Sequence, residues 1–333
     1  MNNIEQSEIK NLISNCDYTT ALKKLEQKNS LFPNDIFIIN SLIDVYFNLD
    51  KIDECKKTIK KSIKISPNSN PEKYFTLAQL ETDNKKSLEN YKKGIEIMEK
   101  LENKDKNILD LISSGYASIA NLYMTTNLCD EIDAENICEN SLKKGLEINS
   151  ENLDCLIQLS NLRILRKKDD EVKLILKKIH DLIFKMNFSD EDFPEREILF
   201  NFSKNYAEIN DFKKAIKIIK LILKIDDLDI ECWYYLSFYQ FQIKNYENCF
   251  ETLKKFEEIY QKNKSNNDWD ENVINDLIDA SKELYEVLEK MPKPLVNNNE
   301  DNEDENNENN NENNENINEN NNENNDEKMN IDE

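Results

Sequence analysis

The sequence predicts an all-α fold, a right-handed solenoid of repeated helix pairs, and three observations carry that prediction. Glycine (3 residues) and proline (6) are scarce among 333 residues, while Leu, Ile, Lys and Glu abound, a composition that favours helix over tight-turned sheet. Compact residues recur at a spacing of 34, as Ala21 and Cys55, Cys138 and Val172, and Ala215 and Cys249, each at the same place in a helix-turn-helix pattern. Pro33 and Pro67 keep the same spacing in the turns between repeats, where a residue with no N–H to donate ends a helix. Each unit of such an array buries its apolar face only against its neighbours, so chain length counts repeats rather than domains. The expected organisation is about seven helix pairs plus a capping helix over residues 1–291, then a tail over 292–333.

The elements follow in order. A second helix with Tyr18, Ala21 and Leu25 opens the array, and Ile39, Leu42 and Tyr46 with Ile52, Cys55 and Ile59 form a full repeat. Tyr74, Leu77 and Ala78 followed by Tyr91 and Gly94 make a repeat shortened by about one helical turn. Tyr116, Ile119, Ala120 and Tyr123 begin a first helix whose partner, carrying Cys138, Leu142 and Gly145, arrives late, so Thr125 to Asp133 is an enlarged turn. Leu156, Leu159, Ser160 and Arg163 pair with Val172, Leu176 and Ile179, and Asn187 to Glu195 forms a longer loop. The last two repeats are the most regular: Phe202, Ser203 and Tyr206 with Phe212, Ala215, Ile219 and Ile222, then Trp233, Leu236, Ser237 and Gln240 with Tyr246, Cys249, Leu253 and Phe256. Val273, Leu277, Ile278, Leu284, Tyr285 and Leu288 have the spacing of a capping helix, ended by Pro292 and Pro294. From Asn297 the chain is almost all Asn and Glu and has too few apolar residues for a core. Its fourteen acidic residues, among them Glu300, Asp301, Glu303, Asp304 and Glu305, face Lys328 alone and account for more than half of the net charge of −23, so a disordered acidic tail is expected.

The 34-residue period, with an aromatic, a Leu-small pair and a Tyr on the first helix and a small residue and aromatics on the second, resembles the tetratricopeptide repeat. In that family first helices line a concave groove that binds other chains. The register assigns to the groove Asp44, Phe47, Phe75, Asn121, Met124, Asp154, Ile157, Asn161, Phe200, Glu231, Tyr234 and Phe238. Aromatics, amides and carboxylates in this mixture suit an extended peptide bearing basic and apolar side chains.

Composition also excludes. There is one histidine, His180, with no local nucleophile or ligand partner, and no Gly-rich phosphate loop, so no catalysis and no cofactor are expected. Seven cysteines without a Cys-x-x-Cys pair argue against a metal site and for a reducing compartment, and Met1 to Gln6 has neither basic start nor apolar run for secretion. The most apolar stretch, Ile216 to Ile225, is broken by Lys217, Lys220 and Lys224 and is far from the roughly 20 apolar residues of a membrane span. Strong negative charge argues against direct nucleic-acid binding. A soluble monomer is expected.

Leu122-Tyr123-Met124-Thr125-Thr126-Asn127-Leu128-Cys129-Asp130, followed by Asp133-Ala134-Glu135 and Cys138-Glu139, resembles the central signature of the dedicated assembly chaperones of large-subunit ribosomal protein L four. Thr126-Asn127 stands where that family has a single Asp. Leu159-Ser160-Asn161-Leu162-Arg163 and Cys232-Trp233-Tyr234-Tyr235-Leu236 are similar to its following repeats. The resemblance implies a protein that captures this basic ribosomal protein early, covers its extended internal loop, and accompanies it from cytoplasm to nucleus for handover to the pre-60S particle. Two other classes fit a tetratricopeptide chain: a Hsp70 or Hsp90 co-chaperone, whose carboxylate clamp wants Lys and Asn where Asn40 and Asp44 stand, and a scaffold subunit of a stable multiprotein complex.

Overall fold

The computed structural model describes residues 3–188, 193–264 and 271–290, and all its regular structure there is helical. Seven antiparallel pairs follow one another: α1 (Asn3–Ser14) with α2 (Tyr18–Leu31), α3 (Ile36–Asn48) with α4 (Ile52–Ile65), α5 (Glu72–Leu80) with α6 (Asn84–Glu99), α7 (Lys106–Thr125) with α8 (Ala134–Ile148), α9 (Leu153–Leu165) with α10 (Asp169–Ile183), α11 (Arg196–Glu208) with α12 (Phe212–Ile225), and α13 (Ile230–Gln242) with α14 (Tyr246–Asn263). α15 (Glu271–Lys290) follows. Contacts divide the chain into Met1–Ser281 and Lys282–Glu333. The first unit is a tetratricopeptide-type solenoid; the described part of the second, residues 282–290, is the helical end of α15.

Short polar residues start these helices. Asp17, Asp35, Asp83, Asp105, Asn152, Asp211, Asp229 and Asn245 each accept a backbone N–H of the first turn, which satisfies donors the helix leaves open. The turns inside five of the seven pairs share one geometry. Cys16, Asp50, Lys167, Asn210 and Lys244 adopt left-handed φ values of 58°, 53°, 54°, 61° and 64°. The N–H of the residue after each reaches back across the helix end, as from Lys51 to Tyr46 O and Asn245 to Gln240 O, both at 2.9 Å, closing a Schellman turn. The two pairs without this turn, α5–α6 and α7–α8, are the two read from sequence as irregular. α5 is 9 residues long, and the enlarged turn after α7 holds a short 3₁₀ stretch, Asn127–Asp130, that buries Leu128.

The recurrent compact slot lies where paired helices touch. Ala21, Cys55, Cys138, Val172, Ala215 and Cys249 are all at most 1% exposed, because only a short side chain lets two backbones approach. The irregular α5–α6–α7 region solves the same problem differently. Phe75 inserts its ring between Gly94 and Gly115, so close that an added Cβ would meet it at 2.6 and 2.5 Å respectively. Phe75 is therefore core, beside Tyr91 at 5.4 Å, and the expectation that it faces the groove is corrected. At the C-terminal end Ile274 and Leu277 pack with Ile230, Phe256 and Ile259, whereas Val273, assigned to the same stripe from spacing, is 45% exposed. Pro292, Pro294 and the acidic residues Glu300, Asp301, Glu303, Asp304 and Glu305 lie outside the described residues.

Candidate functional site

Successive first helices sit side by side and present one row of side chains apiece, while the second helices carry most of the lysines. α4 and α12 alone hold five lysines each, and α3 and α13 hold none. The first-helix row is therefore the face with carboxylates, amides and rings, and polar bridges between consecutive first helices define it. Between α7 and α9, Ser114 Oγ donates to Asp154 at 2.5 Å and Asn152 Nδ2, capping α9, donates to Ser114 Oγ at 3.1 Å, while Asn149 Nδ2 at the end of α8 donates to Asp110. Between α9 and α11, Asn205 Nδ2 donates to Ser160 Oγ in the interior.

Between α11 and α13, Arg196 is the organising group. Its Nε and Nη2 donate to Asp229 at 2.8 and 3.2 Å, and Nη2 and Nη1 reach Glu231 and Glu197 at 2.6 Å. Burial opposes the guanidinium's charge, but the hydrogen bonds from Asp229 and Glu231 outweigh it and raise its pKa. Asp229, only 8% exposed, is correspondingly held below its ordinary range by Arg196 and the Cys232 N–H, against the opposing effect of burial. Phe200 meets Tyr235 edge-on at 5.1 Å, and Tyr234 stacks towards Phe238 at 6.5 Å. Lys204 Nζ hangs 4.6 Å from the Phe200 ring centre and 5.3 Å from that of Tyr235, and Arg196 covers Phe200 at 4.5 Å, both within cation–π range.

At the N-terminal end the face is acidic. Asp44 on α3 is open to solvent yet crowded by surrounding protein. That desolvation, and secondarily the charge of Glu72 on α5, pushes its carboxyl up to about 6. Among the described residues neither Asp44 nor Glu72 makes an ion pair, and the two carboxylates together are suited to receiving a cation.

Of the twelve residues assigned to the groove from sequence, Asp44 and Phe47 are exposed, and Asn121, Met124, Asp154, Asn161, Glu231, Tyr234 and Phe238 are half-buried on the first-helix row. Ile157 at 2% and Phe200 at 3% exposure join Phe75 in the core, a second and third correction. The slot they share lies at the border between groove and inter-repeat packing, where a large apolar side chain turns inward to shed water. The reading missed Glu72 and Ser114, which occupy the slot held by Asp154 and Glu231 in later repeats, and also Arg196, Lys204 and Tyr235. The repeat register could have found the first two.

Burial governs the histidine and the buried thiols. His180 stacks on Phe184 at 4.2 Å, and burial lowers its pKa. Burial pushes the Cys55 and Cys138 thiols up to about 11 and those of Cys155 and Cys249 up to about 12, leaving them protonated fillers. Among the described residues no group of three or more His, Cys, Asp or Glu side chains is arranged to hold a metal ion, and no helix is long and apolar enough to cross a membrane.

No protein-family model matches the chain. In sequence it is similar to a protein of Schizosaccharomyces pombe named "Probable assembly chaperone of rpl4", with 30% identity over 202 residues, 58% of this chain and 60% of that protein. It is also similar to a protein of the same name from Emericella nidulans, with 24% identity over 223 residues, 64% of this chain and 57% of the relative. The matches thus span less than two thirds of the length of either relative. In structure it is similar to "Assembly Chaperone of RpL4 (Acl4)", with a TM-score of 0.62, 18% identity, and coverage of 74% of this chain and 99% of the other. A tetratricopeptide repeat protein from Parabacteroides merdae superposes with a TM-score of 0.54 at 14% identity, covering 83% of this chain and 96% of that one.

Proposed function

We propose that this chain is an assembly chaperone that holds an L4-type ribosomal protein of the large subunit in its first-helix groove until assembly. The 30% identity over 202 residues to a chaperone of that name carries the reading. The chemistry of the groove supports it: Asp44, Glu72 and Asp154 offer carboxylates, and Tyr234, Tyr235 and Phe238 offer rings, to a client that is basic because it must bind RNA. A cationic segment left bare would attach to nucleic acid indiscriminately through counterion release, and an acidic, ring-lined groove shields it at no chemical cost. Release is competition by ribosomal RNA, with no hydrolysis step. The chaperone acts as a monomer, meets its client in the cytoplasm and travels with it to the nucleus.

The co-chaperone reading is disfavoured by one observation. A clamp for a C-terminal carboxylate needs cations on adjacent first helices, and α3 and α5 present Asp44 and Glu72 there, with Lys73 buried and donating to Ser66 O at 2.5 Å and Ser62 Oγ at 3.3 Å. The test is isothermal titration of the purified chain with the L4-type ribosomal protein of the same genome. Binding near one to one that weakens as salt rises is expected; no binding at low salt refutes the reading.

A further inference from the structure

The groove's charges are unevenly compensated along its length. Among the described residues Asp44 and Glu72 make no ion pair, and Asp154 is held only by the neutral hydroxyl of Ser114. At the other end Asp229, Glu231 and Glu197 are all engaged by Arg196, and a second cation, Lys204, sits on the rings of Phe200 and Tyr235. The two ends therefore differ in kind. One has negative charge without a partner, and the other has neutralised carboxylates, a fixed cation and half-buried rings.

We propose that the groove is divided and polar: the α3–α5 end takes the basic residues of the client segment, and the α11–α13 end takes an apolar or aromatic stretch flanking them. This division rests on the client-binding reading above. Lys204 is the residue that sets the polarity. An ammonium fixed over two rings both occupies the cation–π position that a client lysine or arginine would seek and repels the basic stretch, so a client cannot bind in the reverse sense without placing cation against cation. Tyr235 and Phe238 are only half-buried, which leaves part of each side chain open to carbon.

The two ends make energetically distinguishable contributions, because exposed charges are screened over roughly 8 Å at physiological salt whereas apolar burial is not. Three probes separate them by fluorescence anisotropy: the intact L4-type ribosomal protein, a 16-residue Lys-Gly repeat peptide, and the same peptide extended by Phe-Leu-Phe. The extension is expected to tighten binding about 10-fold at every salt concentration. Tyr235→Ala with Phe238→Ala should abolish that gain and leave the Lys-Gly peptide unaffected. Asp44→Asn with Glu72→Gln should weaken all three probes and flatten their salt dependence. Lys204→Glu, a change at a half-exposed position that leaves the core intact, should tighten the Lys-Gly peptide and steepen its salt dependence. An extension that adds nothing, or a Lys-Gly peptide weakened by the Tyr235 and Phe238 changes, overturns the division. If the peptides partition as described while the intact ribosomal protein fails to bind, the division stands and the client assignment falls.

Discussion

Gly115→Ala sets two well-known effects against each other, and the geometry decides between them. Alanine is the better helix former by about 1 kcal/mol in a helix interior, so the substitution would stabilise α7 if it met open space. It does not: the new Cβ would lie 2.5 Å from Phe75 Cζ and 3.0 Å from Ile95 Cγ1. The ring has no retreat, because its other edge already lies 2.6 Å from where a Cβ on Gly94 would be. Overpacking of this kind costs about 1–3 kcal/mol, which at a 2.5 Å approach outweighs the propensity gain, and a net loss of up to about 2 kcal/mol is expected by urea unfolding followed by circular dichroism. Shrinking the wedge with Phe75→Leu should remove the clash, so that Gly115→Ala becomes neutral or stabilising in that background, a coupling of about 1–3 kcal/mol in the double-mutant cycle. A Gly115→Ala variant at least as stable as the parent, or equally penalised with and without Phe75, would refute the reasoning that α6 and α7 pack through that ring.

Lys244→Gly should raise stability by about 0.5–1 kcal/mol in urea titration, since its φ of 64° costs an L-residue roughly 1–2 kcal/mol and glycine nearly nothing beyond its greater chain entropy. Client affinity should rise with pH up to about 7. The Asp44 carboxyl, pushed up to about 6 in the free chain, must give up its proton to hold a cation, so binding releases protons below that value with a slope of at most one decade per pH unit. The same raised pKa means that its ionisation opposes folding as pH climbs through about 6, so Asp44→Asn should both flatten the binding profile in titration calorimetry and stabilise the chain at neutral pH. Arg196→Gln should destabilise the α11–α13 junction by about 2–4 kcal/mol, because Asp229, 8% exposed, is left buried without its cation; thermal melts read this directly.

How far the sequence carried depended on what each position had to satisfy. The compact slot was legible at Ala21, Cys55, Val172 and Ala215 because a helix crossing admits only short side chains, and every repeat meets the same constraint. The irregular units were recognisable from broken spacing, and the structure supplies the reason: Phe75 over two glycines in place of a small residue, and Leu128 buried by the enlarged turn. The groove was only partly legible. Asp44 is exposed and Asp154 and Tyr234 are half-buried on the first-helix row, whereas Phe75, Ile157 and Phe200 turn inward, since helical phase alone does not say whether a border residue faces solvent or the next repeat. Arg196 and Lys204 were missed because their importance lies in what they touch across helices, carboxylates on α13 and rings on α11 and α13, and no spacing within one repeat encodes that.

Affinity purification of the tagged chain from growing cells at low and moderate salt decides whether an L4-type ribosomal protein is the occupant of the first-helix groove. Mass spectrometry should recover one basic large-subunit ribosomal protein, near one to one, lost as salt rises and recovered in lower yield at low salt from the Asp44→Asn, Glu72→Gln variant. Recovery instead of Hsp70 or Hsp90, or of a fixed assembly without any free ribosomal protein, would contradict that occupant.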